Sequence, residues 1–375
     1  MDNSNQICNI KVIGVGGAGN NAVNRMIAAG ITSAYFVSVN TDKQVLQMSN
    51  ADAVLQIGEE LTRGLGAGAV PSVGEQAAVE SKQAIIDLLK GTDLLFITAG
   101  LGGGTGTGAA PIIAQIAKDM NILTVGVVTK PFAFEGATRK KNAEMGLENL
   151  KKYVDTLVII PNEKLFKILK KGTPIIEAFR FADDVLRQGI QGVSDLIVEP
   201  SMINLDFADV RTIMKDKGLA HMGIGVGKGE NKTIEAVRQA VTSQLLETSI
   251  EGATGILLNI KGGKNLTLDE IYEAVDLVKE VVDDSCNLIF GATITDDNKD
   301  EVQITVIATG FESDNPVEQK EQPPQFKDNG QNFNNFENKE DESADETIVE
   351  DISIKEQKVE IQNANIPPFL RKLKK

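Results

Sequence analysis

The chain has 375 residues, with 38 Lys and Arg against 53 Asp and Glu, which gives a formal charge of −15 at pH 7. Its two cysteines and single histidine, His221, exclude a disulfide framework and a histidine-based metal cluster. We expect neither a membrane span nor a signal peptide, because no apolar run is long enough and the first residues are polar. The acidic balance argues against nucleic acid as a partner.

The first half of the chain alternates between short apolar strands and helices. The predicted strands are Ile10–Val15, Ala34–Val39, Ala53–Ile57, Leu94–Thr98, Leu123–Thr129 and Thr156–Ile160, and the predicted helices are Asn21–Ala29, Val73–Leu89 and Ala110–Asp119. This alternation predicts parallel βαβ units, and the uniformly apolar strands predict a sheet that is covered on both faces. Ligands of such sheets bind at the carboxyl ends of the strands.

A long amphipathic helix over 174–198 separates this half from a second α/β pattern. Beyond a connecting segment, 199–221, we predict strands Met222–Val226, Gly255–Ile260, Asn287–Ile294 and Val302–Ala308 and helices Thr233–Leu246 and Leu268–Val282. The sequence therefore predicts a Rossmann-type α/β domain with a parallel sheet over 10–173, the long central helix, and a smaller α/β domain with a mixed sheet over 222–310.

Both ends differ in composition from this body. Residues 1–9 are predicted to be a flexible N-terminus. From Phe311 to Asn365 there are 15 acidic and 5 basic residues, which predicts a disordered acidic linker over 311–364. The last residues, 365–375, place apolar anchors beside a basic end, which is typical of a peptide that docks on a partner.

The first strand runs into the glycine-rich stretch Gly14–Asn21, which contains a G-x-G-x-x-G pattern. Glycines let backbone N–H groups approach an anion, and a helix N-terminus adds a partial positive charge. The same pattern occurs in dinucleotide-binding enzymes, where an acid after the second strand meets the ribose. Asp42 is placed slightly late for that role, so a nicotinamide-dependent oxidoreductase stays open as an alternative at this point.

A second loop, Gly102–Gly108, alternates glycine with threonine between a strand and a helix. No structural requirement explains so many glycines, and their backbone amides predict a nest of donors for two or more phosphates. A third stretch, Gly64–Pro71, is placed to close over the outer phosphate. The chain contains no G-x-x-x-x-G-K-S/T pattern and is therefore not a P-loop NTPase.

At Gly102–Gly108 the sequence resembles the signature loop of the tubulin superfamily, and with Gly14–Asn21 it resembles the FtsZ family of bacterial cell-division GTPases. Further stretches match that family in order: Gly64–Pro71, Pro131–Gly136 with Arg139, Pro161–Asn162, Asn204–Asp209 and, at the end of the chain, Ile366–Lys372. The resemblance implies a tubulin-like fold and a GTPase that converts GTP to GDP and phosphate.

The resemblance also implies a set of nucleotide contacts. Residues on the phosphates are Gly17, Ala18, Gly19, Asn20, Asn21, Gly104, Thr105 and Gly106; those on the ribose and guanine are Glu135, Arg139, Asn162, Phe179 and Asp183. From helical spacing alone, Phe179 would be a core residue, Asp183 a solvated one, and Glu135 with Arg139 a surface ion pair.

Catalysis is implied to need a second copy of the chain. Asn204, Asp206 and Asp209 would act on the nucleotide of the neighbouring subunit, with Mg²⁺ expected on the phosphates. A head-to-tail contact repeats without closure and gives a filament. The implied function is a division ring assembled in the cytoplasm at midcell beneath the inner membrane. A plasmid-partitioning filament and a GTP-binding regulator that never polymerises stay open as alternatives.

The C-terminal peptide is implied to recruit partners. Membrane-tethering and regulatory division proteins are expected to bind through Ile366, Pro367, Phe369, Leu370 and Arg371.

Overall fold

The computed structural model of the chain describes residues 8–169, 172–198, 203, 205–243, 250–283, 285–295 and 300–311, with the backbone alone at 166–168. The predicted docking peptide at 365–375 lies outside these residues. So do the acidic linker beyond residue 311 and residues 1–7 of the predicted flexible N-terminus.

Strands and helices alternate through the first half. The strands are β1 Ile10–Val15, β2 Tyr35–Asn40, β3 Ala53–Gln56, β4 Leu94–Gly100, β5 Leu123–Lys130 and β6 Thr156–Pro161. The helices are α1 Gly16–Ala28, α2 Lys43–Gln47, α3 Glu59–Thr62, α4 Pro71–Glu80, α5 Lys82–Leu89, α6 Thr105–Asp119, α7 Ala137–Lys151 and α8 Asn162–Ile168.

A long helix, α9 Ile175–Val198, leads to the second half. This half contains helices α10 Phe207–Met214, α11 Lys232–Val241 and α12 Leu268–Lys279, and strands β7 Gly218–Lys228, β8 Gly255–Gly262, β9 Asn287–Ile294 and β10 Glu301–Thr309. Among the described residues, no helix combines the length and apolar composition needed to cross a bilayer.

The described strands form one sheet in the order β3-β2-β1-β4-β5-β6-β7-β10-β8-β9. Neighbouring strands from β3 to β7 are parallel, β10 is antiparallel to β7 and β8, and β9 is parallel to β8. The prediction of a parallel sheet followed by a mixed one is therefore confirmed. The two parts meet where Thr156–Val158 of β6 pairs with Gly218–Ala220 of β7. The exact domain bounds stay a prediction.

Apolar side chains cover both faces of the parallel strands. One cluster joins them to α1, α9 and α10 through residues such as Met26, Val193 and Val210. The opposite cluster joins them to α4, α5 and α6 through residues such as Ile85 and Ile113. Burial on both faces is what selects uniformly apolar strands. The sheet therefore fixes the carboxyl ends of β1, β4, β5 and β6 at one edge.

Several helix bounds differ from those predicted. Helices α1 and α6 begin at Gly16 and Thr105, well before the predicted starts. The predicted helix Val73–Leu89 is two helices that meet at Ser81, where the backbone leaves helical geometry and Oγ accepts a hydrogen bond from Gly58 N at 3.0 Å. At the start of α9, Ile175, Ile176 and Phe179 are 57%, 63% and 40% exposed, so the spacing-based prediction of Phe179 as a core residue is wrong.

Candidate functional site

The N-termini of α1 and α6 meet at the carboxyl edge of the sheet. Gly16 begins α1 directly after β1 and has a φ of +73°, which favours glycine. A Cβ at Gly16 would lie 2.8 Å from Gly106 N in the first turn of α6. The two glycine-rich stretches are therefore the first turns of two helices in contact, and a side chain at Gly16 would separate them.

This contact creates an anion-binding geometry. The first N–H groups of a helix have no partner within the helix, and the helix dipole places partial positive charge there. Both first turns line one cleft with a volume of about 330 Å³. The predicted phosphate contacts that line it are Gly17, Ala18, Gly104, Thr105 and Gly106. Two converging helix N-termini suit a ligand with several phosphates.

The predicted third loop, Gly64–Pro71, packs against the second one. A Cβ at Gly104 would lie 2.8 Å from Ala67 Cβ and 2.9 Å from Val70 N. The backbones of the two loops are therefore closer than a side chain at residue 104 would allow. Gly104 is therefore a position where the approach of the third loop requires glycine.

Three predicted phosphate contacts do not line the cleft. Asn20 is 1% exposed; its Nδ2 donates to Gly14 O at 2.8 Å and its Oδ1 accepts from Asn40 Nδ2 at 2.7 Å. Asn20 thus braces the first loop from behind. Gly19 is buried against Thr98 O, and Asn21 is exposed outside the cleft lining.

Asp42 has a structural use that the dinucleotide alternative did not anticipate. It is the N-cap of α2, where Oδ1 accepts from Gln44 N at 2.9 Å and from Val45 N at 3.4 Å. A capping carboxylate satisfies helix N–H groups and stabilises the helix end. Asp42 is therefore engaged by the protein and is absent from the cleft lining.

Glu135 and Arg139 form an ion pair at the cleft. Arg139 Nη1 lies 2.6 Å from Glu135 Oε2, and Phe132 N donates to Glu135 Oε1 at 3.0 Å. Both residues line the cleft, and the Glu135 side chain is only 13% exposed. The ion pair expected from their spacing is present, and it lies at the site.

Asn162 is the first residue of α8 and follows the carboxyl end of β6. It is 5% exposed and lines the cleft, yet its Oδ1 has no hydrogen-bond partner among the described residues. A buried acceptor without a partner is costly, so this oxygen suits an N–H donor of a ligand.

Asp183 faces the same cleft from α9 and bonds Arg25 of α1. Arg25 Nε donates to Asp183 Oδ2 at 2.8 Å, and the Asp183 side chain is 14% exposed, so the spacing-based prediction of a solvated residue is wrong. Burial raises the pKa of the Asp183 carboxyl above its ordinary value, and the Arg25 guanidinium opposes that rise. A carboxylate accepts both N–H groups that guanine presents, which distinguishes it from adenine.

Arg25 was not among the site residues predicted from the sequence. It lies four residues after Asn21, so the two share a face of α1. That spacing was the available signal. Its acidic partner is on a helix far along the chain, and sequence spacing does not show that contact.

Phe179 lies at the rim with two other aromatic rings. Its ring centroid is 5.4 Å from that of Phe132 at an interplanar angle of 90° and 6.5 Å from that of Phe134 at 84°. These are edge-to-face contacts, which hold Phe179 in place although it is 40% exposed. The cleft therefore has a phosphate end with two helix N-termini and a base end with Phe179, Asn162 and Asp183.

The predicted catalytic acids lie elsewhere. Asp206 is the exposed N-cap of α10, where its Oδ1 accepts from Asp209 N at 2.8 Å, and neither residue lines the cleft. Asn204 falls outside the described residues. Within the part of the chain that is described, no group of three or more His, Cys, Asp or Glu side chains is arranged to hold a metal ion.

Comparison with known proteins adds to this geometry. Residues 9–170 match the Tubulin/FtsZ family, GTPase domain, and residues 218–312 match the FtsZ family, C-terminal domain. An empty FtsZ dimer from M. jannaschii is similar at 47% identity and a TM-score of 0.78, over 81% of this chain and 88% of that one. The chain belongs to the FtsZ family. A mutant form of that FtsZ matches at the same identity and TM-score and is covered to 91%.

As an FtsZ-family member, the chain is a tubulin-like GTPase of the cytoskeletal type that binds GTP and GDP. This finding decides against the oxidoreductase alternative. A GDP-bound CetZ1 monomer from Haloferax volcanii matches at 23% identity and a TM-score of 0.70, over 81% of this chain and 95% of that one. That likeness shows a shared fold.

Proposed function

We propose that this FtsZ-family GTPase polymerises head to tail and hydrolyses GTP at the contact between successive subunits. In this proposal one subunit holds the nucleotide in the cleft of α1, α6 and α9. Asn204, Asp206 and Asp209 of the next subunit orient the attacking water.

The observation that carries the proposal is that the acidic side chains lining the described cleft are both held in ion pairs. Of the described residues that line it, the two acids are Glu135, paired with Arg139, and Asp183, paired with Arg25. Neither is free to activate a water at the phosphate end. Asp206, which caps α10 through Oδ1, and Asp209 lie outside the lining at the start of that helix and would act on the nucleotide of a neighbour.

The nucleotide contacts follow from the two ends of the cleft. Gly17 and Ala18 would serve the phosphates from the first loop, whose next residues Gly19, Asn20 and Asn21 lie outside the cleft lining. Gly104, Thr105 and Gly106 would hold the terminal phosphates from the second loop. Glu135 and Arg139 would meet the ribose. Asn162 and Asp183 would bind the guanine edge, with Phe179 against the ring.

Mg²⁺ is proposed to accompany GTP. Mg²⁺ typically keeps several waters and binds through one or two protein oxygens plus substrate phosphates. The lining of the cleft fits that mode, because the described residues at its phosphate end present backbone N–H groups and a hydroxyl to the phosphates and leave the ion to be held by phosphate and water oxygens. When bound, the ion neutralises charge that develops on the phosphates.

The proposed cellular role is a division ring in the cytoplasm at midcell, beneath the inner membrane. The FtsZ-family match to residues 218–312 supports division over the alternative of a plasmid-partitioning filament. The empty FtsZ dimer supports self-association. Tethering and regulatory proteins are proposed to bind Ile366, Pro367, Phe369, Leu370 and Arg371, which lie outside the described residues.

Two measurements on one dilution series test this proposal. Light scattering after GTP addition reports polymer, and phosphate release per chain reports turnover. We expect both to rise together above a threshold protein concentration. Turnover per chain that stays constant on dilution would contradict the shared site, and turnover without scattering would favour the non-polymerising regulator.

A further inference from the structure

Thr41 directly follows β2 and forms a hydrogen bond with Thr105 at the second phosphate loop. Thr41 is 0% exposed, and its Oγ1 lies 2.7 Å from Thr105 Oγ1, a hydrogen bond in which either hydroxyl can be the donor. Thr105 lines the cleft, whereas Thr41 does not. Thr41 is therefore placed to act on a ligand only through Thr105.

The backbone of Thr41 is held from the opposite side. Its carbonyl oxygen accepts from Thr62 Oγ1 at 3.2 Å and from Gly66 N at 3.3 Å. Thr62 Oγ1 also lies 2.9 Å from Gly58 O, so its single proton is shared between the two carbonyl oxygens. The backbone of this fully buried residue is thus held in place, and its hydroxyl lies against that of Thr105.

A phosphate in front of Thr105 removes the ambiguity of donor and acceptor. Each threonine hydroxyl has one proton, and a phosphate oxygen accepts but does not donate. If Thr105 donates to phosphate, its oxygen is left to accept, and the Thr41 hydroxyl is the donor beside it. A hydrogen bond accepted by a hydroxyl also strengthens the one it donates.

We propose that Thr41 is a positioning residue for GTP, because its hydroxyl donates to Thr105 Oγ1 and directs the Thr105 proton at the terminal phosphate. The inference rests on the proposed contact between Thr105 and the terminal phosphates. Because GDP lacks the last of these phosphates, Thr41 favours GTP over GDP.

The test compares the dissociation constants of GTP and GDP, measured on dilute protein, for Thr41→Val, Thr41→Ser, Thr105→Val and the double valine variant. We expect Thr41→Val to weaken the binding of GTP roughly 5- to 10-fold and the binding of GDP less than about 2-fold. Thr41→Ser, which keeps the hydroxyl, should bind GTP as the wild type does. In the Thr105→Val background, Thr41→Val should add less than about 2-fold, because its partner is gone.

Thr98→Val is the matched control. Thr98 is also 0% exposed, and its Oγ1 has no hydrogen-bond partner in the described structure, so we expect unchanged binding of both nucleotides. Equal losses of GTP and GDP for Thr41→Val, or the same loss in the Thr105→Val background, would overturn the inference. If Thr105→Val itself leaves GTP affinity unchanged, the proposed phosphate contact fails as well. Loss in Thr105→Val with none in Thr41→Val overturns the positioning role alone.

Discussion

Arg25 of α1 donates from Nε to Asp183 Oδ2 of α9 at 2.8 Å, across the base end of the cleft. Helix α1 begins at the first phosphate loop, and α9 carries Phe179 and Asp183. The ion pair therefore links the phosphate end of the site to the proposed guanine end. It also opposes the effect of burial on the Asp183 carboxyl.

Replacing Arg25 by Gln should move the pH dependence of GDP binding. Asp183 must be ionised to accept from guanine, so affinity is full above its pKa and is lost as pH falls through it. Burial raises the pKa of Asp183 and Arg25 lowers it. Without Arg25 the pKa rises further, and affinity should be lost at a higher pH. The measurement is the GDP dissociation constant from about pH 4 to pH 8.

Arg187→Gln is the control for that experiment. Arg187 pairs with Asp184, the residue beside Asp183 on α9, at 2.7 Å. Its removal deletes one positive charge from the helix that carries Asp183, but it leaves the ion pair of Asp183 with Arg25 intact. A midpoint that is unchanged in Arg25→Gln, or shifted equally in Arg187→Gln, would argue against the role of Arg25.

Asp183→Asn should change base preference. An amide offers one acceptor and one donor in place of two acceptors, which opposes guanine and suits xanthine. Loss of a charge-assisted hydrogen bond predicts roughly 10- to 100-fold weaker GTP binding, while xanthosine triphosphate binding improves. Competition binding with both nucleotides checks this result. Equal weakening of the two would mean that Asp183 does not face the base.

Asn162→Leu should separate stability from binding. The unpartnered Oδ1 of Asn162 costs about 1–3 kcal/mol of buried polar desolvation, so its removal should leave the nucleotide-free melting temperature unchanged or higher. GDP affinity should fall roughly 10-fold. Asn259→Leu removes another buried oxygen without a partner, together with the Nδ2 hydrogen bond to Gly192 O, outside the cleft lining, and should leave GDP affinity unchanged. A destabilised Asn162→Leu protein with normal GDP affinity would refute the proposed contact.

Substitutions of Asp206 and Asp209 should differ in their effect on the stability of the protein but have the same effect on GTP turnover. Asp206→Ala removes the N-cap of α10 and should cost about 1 kcal/mol of unfolding free energy. Asp209→Asn keeps the backbone N–H that donates to the capping carboxylate of Asp206, so it should leave the unfolding free energy nearly unchanged. Both should lower GTP turnover roughly 100-fold or more while preserving GDP affinity. Asp87→Asn, an exposed acid on α5, controls for charge, and turnover that survives in Asp209→Asn would count against the catalytic assignment.

Local patterns predicted much of the sheet. Ile10–Val15 and Asn287–Ile294 were predicted with the bounds that β1 and β9 have. In β1 a nearly fully buried apolar run leads directly into glycines, and in β9 an apolar, β-branched run between polar residues marks the strand although its first half is only partly buried. Helix starts were predicted less well, because the first turns of α1 and α6 consist largely of glycine. Glycine disfavours helix intrinsically, and tertiary contacts such as that of Gly16 with Gly106 override the preference.

The candidate site depended on contacts that spacing does not encode. Helical periodicity placed Phe179 in the core, but the first turns of α9 are exposed, and there Phe179 meets Phe132 and Phe134 instead. The partner of Asp183 comes from a distant helix. In contrast, the resemblance to a family placed Glu135, Arg139, Asn162 and Asp183 together, and these residues do line one cleft.

Mixing two inactive variants tests the shared site most directly. Asp209→Asn subunits hold GTP but lack the acid, and Asp183→Asn subunits carry the acid but bind GTP poorly. Each head-to-tail contact uses the nucleotide of one copy and the acid of the next, so an equal mixture should recover up to about one quarter of wild-type GTP turnover. A mixture of Asp206→Ala and Asp209→Asn, both impaired on the acid side, should recover none. Turnover in the first mixture that equals the sum of its separate components would contradict hydrolysis between subunits.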